Sequence, residues 1–129
     1  MKRPVITAAA LLGLSAVLLG AFGAHGLKGV LTPEQLGSFE TGVRYQIYHA
    51  LALLGLAALF PVNVKLVKVI FTCFLAGTLL FSGSIYLLAC RDLLGGVRVA
   101  WLGPLTPLGG PLLVIGWAAM AIAGLKERG

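Results

Sequence analysis

The stretch FETGVRYQIYHALALL, residues 39–54, decides how the rest of the chain is read. It opens with Glu40, Arg44, Tyr45, Gln46, Tyr48 and His49, then runs unbroken into ALALLGLAALF, up to Pro61. An ionisable group inside a membrane helix is costly, about 2.5–3.5 kcal/mol for Asp, Lys or Arg at the helix centre on insertion scales. A neutral His costs less, but it still needs a hydrogen-bond partner. Gln46 and His49 therefore predict polar partners on other helices at the same depth.

Composition sets the environment of those helices. The chain has 129 residues, of which 59% are hydrophobic and only 11% charged. Soluble domains carry about 25% charged residues, so ten basic and four acidic side chains are too few to coat a soluble surface of this size. Long apolar runs with so little charge read as a membrane protein. The net charge of +6 does not point to nucleic acid. The basic residues flank apolar runs instead of clustering on one face, and no nucleic-acid motif accompanies them. Cys73 and Cys90 lie in one apolar run. Their separation on a continuous helix is about 25 Å, far beyond the ~7 Å that a disulfide tolerates. No Cys-x-x-Cys or Cys/His metal spacing exists.

Four spans are expected, at about residues 5–24, 43–60, 66–89 and 107–125. The first is long for the 7–15-residue apolar core of a signal peptide. Its small residues, Ala9, Gly13, Ala16, Gly20 and Ala24, recur at helical spacing as a close-packing face. Retention is therefore expected over cleavage after AFGA. Thr32, Pro33 and Gln35 form a capping box, which starts a helix near Pro33. The polar run that follows predicts a short interfacial helix before span two, bending or continuing near Gly42. Pro61 ends span two, and PVNVK makes a tight turn. The hydroxyls and glycines in the middle of span three read as packing and backbone bonding. Gly95-Gly96 breaks the next segment, and Trp101 suits an interface. Thr106 caps a helix beginning at Pro107, with Pro111 as the other candidate start.

Four spans put both termini and the 61–65 turn on one side. That side holds Lys2, Arg3, Lys65, Lys68, Lys126 and Arg128, against Lys28, Arg44, Arg91 and Arg98 on the other. Basic residues favour the cytoplasmic side, so both termini are expected there.

The stretches GAFGAHGL at 20–27, FETGVRYQIYHALALL at 39–54, FSGSIYLLA at 81–89 and GPLTPLGGPLLVIGW at 103–117 touch all four spans. On them the chain resembles the YgdD/YwdK-like small multi-pass membrane family, domain of unknown function 423, which has a small transmembrane relative in animals. The resemblance implies an inner-membrane protein of four helices and supplies no activity, ligand or cofactor. It departs at Pro111, where it implies another apolar residue, and this bears on where the last helix starts.

The fold expected is thus an all-α membrane protein, a four-transmembrane-helix bundle with a short interfacial helix before helix 2. In that topology one leaflet collects the polar groups: His25 at the end of span one, Glu40, Arg44, Tyr45, Tyr48 and His49 on span two, Ser82, Ser84 and Tyr86 on span three, and Thr106 on span four. Glu40 and Arg44 are spaced i, i+4 for an ion pair, and Tyr45 and His49 share that spacing. The leading reading is a hydrogen-bonded network that locks the helices together. A pocket for a small ligand, lipid headgroup or ion, with His49 and Arg44 as contacts, comes second. A metal or haem site on His25 and His49 has no other support in the chain. No Ser or Cys comes with a base at motif spacing, and GPLTPLGGP lacks the Gly-Lys-Ser/Thr ending of a phosphate loop. The chain is expected to be an accessory, scaffold or assembly partner with no enzymatic activity and no cofactor. The alternative is a homo-oligomeric binder or channel for a small solute, ion or lipid. The partners expected are the bilayer and a homo-oligomer or larger membrane complex, with no nucleic acid.

Overall fold

Each helix begins and ends where the sequence changes character. The computed structural model describes residues 2–61, 64–93 and 105–126, except the side chains of 105–107. Helix α1 (Arg3–His25) has Pro4 in its first turn, where a missing amide proton costs nothing. A short connection passes through Gly29, whose φ of 83° suits a residue without Cβ. Helix α2 (Pro33–Leu59) opens on the expected capping box. The Gln35 amide donates to Thr32 Oγ1 at 3.1 Å, and the Thr32 amide donates to Gln35 Oε1 at 3.0 Å. It stops just before Pro61. Helices α3 (Lys65–Ala89) and α4 (Leu105–Lys126) follow.

The expected interfacial helix is not a separate element. Residues 33–42 are the first turns of a continuous 27-residue α2. At 1.5 Å per residue this helix is about 40 Å long, against a hydrocarbon thickness of about 30 Å. Helix α4 starts two residues before the expected Pro107 and carries Pro111 inside it. The expectations for Gly95-Gly96 and Trp101, and the Thr106 side chain, lie outside the described residues. Arg3–His25, Lys65–Ala89 and Leu108–Lys126 are each long and apolar enough to cross a membrane. Helix α2 falls outside that set because Glu34, Glu40, Arg44, Gln46 and His49 occupy its first two thirds.

Each helix packs along the next in sequence: α1 on α2, α2 on α3, and α3 on α4. The contacts descend in antiparallel order. Between α1 and α2, Gly23 lies against Phe39, Gly20 against Val43, and Gly13 against Ala50. Most of the small-residue face of α1 is thus turned inward, with Ala9 and Ala16 buried and Gly13 and Gly20 half-buried, but Ala24 is exposed and Gly23 takes its place against Phe39. The α3–α4 seam is tighter still. A Cβ at Gly109 would lie 2.5 Å from the Phe81 amide nitrogen and 2.8 Å from the Gly77 carbonyl oxygen, so only glycine lets the two backbones meet there.

Two apolar clusters fill the interior. One, around Leu12, Leu53, Leu56, Ile70, Phe74 and Leu113, takes side chains from all four helices. The other, of Leu27, Leu31, Phe39 and Ala89, closes the opposite end. Between them lies a polar level.

Candidate functional site: a polar knot and an outward-facing groove

Gln46 is the centre of the polar level. It is buried on α2, and its side chain reaches both neighbouring helices. Its Nε2 donates to the Leu12 carbonyl at 2.8 Å and to Ser15 Oγ at 2.6 Å, both on α1. Its Oε1 accepts from the Tyr86 hydroxyl at 2.6 Å, on α3. One amide therefore ties three helices. Ser15 Oγ passes its own proton back to the Leu11 carbonyl at 2.8 Å. One turn away, Ser82 Oγ donates to the Gly42 carbonyl at 2.7 Å. Gly42 is needed at this crossing, since a Cβ there would come within 2.7 Å of the Tyr86 ring. The same ring packs on Phe39, with centroids 5.0 Å apart.

His49, one turn deeper on α2 than Tyr45, faces the other way. Its Nδ1 lies 2.7 Å from the Tyr45 carbonyl, which can only accept, so Nδ1 carries a proton. Its Nε2 lies 3.0 Å from the indole nitrogen of Trp117 on α4, which can only donate, so Nε2 is bare. The two bonds together define a neutral imidazole with a fixed tautomer and no spare nitrogen for a metal. Rings surround it: Phe74 at 5.3 Å, Trp117 at 5.8 Å and Tyr45 at 6.2 Å between centroids.

An outward-facing groove of about 670 Å³ runs beside this pair, lined by Tyr45, His49, Phe81, Gly110, Pro111 and Trp117 among others. Its origin is architectural. Helices α2 and α4 both pack on α3 and leave a valley over it, with Phe81 in the lining. Gly110 faces open space there, for a Cβ at it would meet nothing within 4 Å.

The residues marked in the sequence divide accordingly. Ser82 and Tyr86 join the knot. Tyr45 and His49 line the groove, and their i, i+4 pairing is present. Glu40 and Arg44 make the expected ion pair at 3.6 Å, but both side chains are more than half exposed. Such a pair contributes at most about 1 kcal/mol. Tyr48 is exposed beside Tyr45. Ser84 is buried two residues past Ser82, thus on another side of α3, and donates to the Phe81 carbonyl. His25 is exposed at the end of α1, and no hydrogen bond, ion pair or ring contact among the described residues joins it to His49. His49 lines the groove, and Arg44 lines a recess of about 170 Å³ between α1 and α2.

Sequence reasoning missed four participants. Ser15 and Trp117 are two of them. The other two are Gln35 and Asp92: Gln35 Nε2 donates to Asp92 Oδ2 at 3.1 Å and ties the start of α2 to the turn after α3. Trp117 had a usable signal, because an indole N–H deep in a span needs an acceptor. The Gln35–Asp92 pair, 57 residues apart, had none.

Antiparallel apolar helices joined by a buried polar level define a helical, multi-pass membrane protein. The comparisons with known proteins agree. A family model described as "Protein of unknown function (DUF423)" matches residues 19–110. The chain belongs to that family. It is 38% identical over 128 residues to a UPF0382 membrane protein of Haemophilus influenzae, covering 99% of this chain and 98% of the relative. It is 39% identical over 128 residues to the UPF0382 inner membrane protein YgdD of Escherichia coli K12, covering 98% and 93%. Against the UPF0382 membrane protein YwdK of Bacillus subtilis the figures are 41% over 115 residues, covering 88% and 89%. No solved structure matches.

Proposed function

We propose that the chain crosses the inner membrane four times with both termini in the cytoplasm. In this reading it is an accessory or assembly protein without enzymatic activity, presenting fixed apolar surfaces to other membrane components. The groove between α2 and α4 is the chief of those surfaces. The carrying observation is that the buried polar side chains of the knot bond one another and nearby backbone, so that among the described residues none of them is turned outward as a reactive pair. The crossing of α2 is supported by its antiparallel contacts along both α1 and α3, which are apolar enough to span. The excess of Lys and Arg on the side of the termini supports the orientation.

The alternative, a homo-oligomeric binder or channel working through the polar cluster, has less support. Gln46, Ser82 and Tyr86 are already bonded across helices, and Arg44 is exposed beside Glu40.

The test is purification in a gentle detergent, with mass spectrometry of every protein and lipid retained, for wild type and Val114→Trp. Val114 is exposed on the groove wall, so a bulkier residue there blocks the groove without entering the core. A species retained by wild type and lost in the variant supports the reading. Identical retention by both removes the groove from it. Impermeant thiol labelling of a cysteine placed at Lys65 tests the topology, and reaction only from the periplasm would invert it.

A further inference from the structure

The groove differs from an ordinary stretch of lipid-facing helix in one respect. Its lining is hydrocarbon and aromatic except at Tyr45 and the His49–Trp117 pair. Both ring nitrogens of His49 and the indole nitrogen of Trp117 are already bonded. The phenol of Tyr45 is not. Among the described residues its side chain makes ring contacts only, with Phe81 at 4.7 Å, Tyr48 at 6.1 Å and His49 at 6.2 Å. These contacts fix the ring and leave the hydroxyl as the groove's single open donor.

Depth decides what that donor meets. Arg44 is the adjacent residue, and in the topology proposed above its exposed ion pair with Glu40 falls at the boundary between headgroups and chains. Amphipathic rings such as Tyr settle at this boundary. From Tyr45 the groove runs inward along α2 to His49, about 6 Å deeper at 1.5 Å per residue. On α4 it runs from Gly110 to Trp117, about 10 Å deeper by the same rise. Its occupant therefore needs an acceptor at the interface and a chain below it. The acceptor must sit at the junction of the two, which is where the ester carbonyl of a glycerolipid lies.

We infer that the groove holds one acyl chain of a diacyl glycerophospholipid, with the ester carbonyl accepting a hydrogen bond from the Tyr45 hydroxyl. This rests on the groove being a working surface, as proposed above. The volume of about 670 Å³ falls within the usual range for small-molecule sites. Phe81, Val114 and Trp117 grip the chain, and Gly110 admits it. Selection acts on the linkage more than on the headgroup, because the groove lining contains no charged residue.

The experiment titrates the purified full chain with phosphatidylcholine and with its dialkyl-ether analogue of equal chain length, read by native mass spectrometry. The two lipids differ at the carbonyl oxygens. Wild type should hold the ester form about three- to tenfold more tightly, the effect of one neutral hydrogen bond. Tyr45→Phe, which removes one oxygen, should erase that preference. Val114→Trp should lose both lipids. If Val114→Trp loses both while wild type binds ester and ether alike, the carbonyl assignment is overturned and the groove survives as a surface. If Val114→Trp retains both as wild type does, the groove itself is not the site and both readings go.

Discussion

Gln46 and His49 lie three residues apart on α2, and both are buried and polar. Gln46 uses both amide protons and its oxygen to bind α1 and α3. His49 makes a single bond to another helix, the one from Trp117. The difference extends to the helices around them. On the Gln46 side, side-chain hydrogen bonds cross from α1 to α2 and from α2 to α3. On the His49 side the α3–α4 seam is made of glycines, with Gly77 and Gly109 bringing backbone onto backbone. The molecule thus uses two kinds of adhesive, and in lipid this is expected. Without water there is no hydrophobic force between helices, so close packing and interhelical bonds are what remain. The bonded half is closed. The packed half leaves a valley beside it, because a seam of glycines brings α4 onto α3 without bringing it onto α2.

The sharpest way to break this contrast is at the seam. Gly109→Val should have the largest effect, because backbone cannot rotate out of the way as a side chain can. Overpacking typically costs about 1–3 kcal/mol and occasionally more, and a backbone clash belongs at the upper end. Unfolding in detergent, followed by circular dichroism against denaturant, measures it. A variant as stable as wild type would mean that α4 is held by something other than close approach.

Next in size is the knot. Gln46→Leu removes three bonds and leaves the Tyr86 hydroxyl without its partner, for an expected loss of about 1–3 kcal/mol. Interhelical bonds in membranes average about 0.6 kcal/mol each, and three of them give a figure within that range. Tyr86→Phe should cost less, and the double variant should cost less than the two singles added, since they share one bond. Strict additivity would separate the two residues and dissolve the knot.

Trp117→Phe should be smaller again, about 0.6 kcal/mol for the one lost bond, with the phenyl ring keeping part of the indole's packing on Phe74. If it matched Gln46→Leu in the same unfolding assay, the two sides of α2 would be held alike and the contrast would fail.

Local chemistry was legible in the sequence. The capping box at Thr32, the Glu40–Arg44 pair and the Tyr45–His49 pair all depend on residues three or four apart, a spacing the helix itself fixes. The stop at Pro61 was legible as well, because proline cannot continue a helix. What the sequence could not carry was the partner across a helix interface. Gln46 was visibly out of place in an apolar run, but its acceptors on α1 include a backbone carbonyl, which every residue owns. Gly42 read as a place where the helix bends or continues, and its missing side chain makes room for Tyr86 from α3. Of those two, continuation is what the structure has. His25 and His49 suggest a metal or haem pair only by lying on different helices, and nothing in the sequence sets the distance between them.

Cys90 offers the finest test, because it reports on the knot's end of the molecule without disturbing it. The residue caps α3 and packs, partly buried, against the cluster around Leu27, Leu31 and Ala89. Burial pushes its thiol up from the ordinary value. Alkylation proceeds through the thiolate, so a raised pKa means a smaller reactive fraction at any given pH. Labelling of Cys90 should therefore be slower than that of a free thiol at pH 8, and should climb over a higher pH interval. The other cysteine, Cys73, is buried within α3 and should contribute little to the signal. Gln46→Leu loosens the helices beneath Cys90 and should shift its labelling curve back toward lower pH, by a modest amount. Trp117→Phe, on the far side of α2, should leave the curve where it was. A shift of equal size in both variants would mean that the knot and the groove side open together.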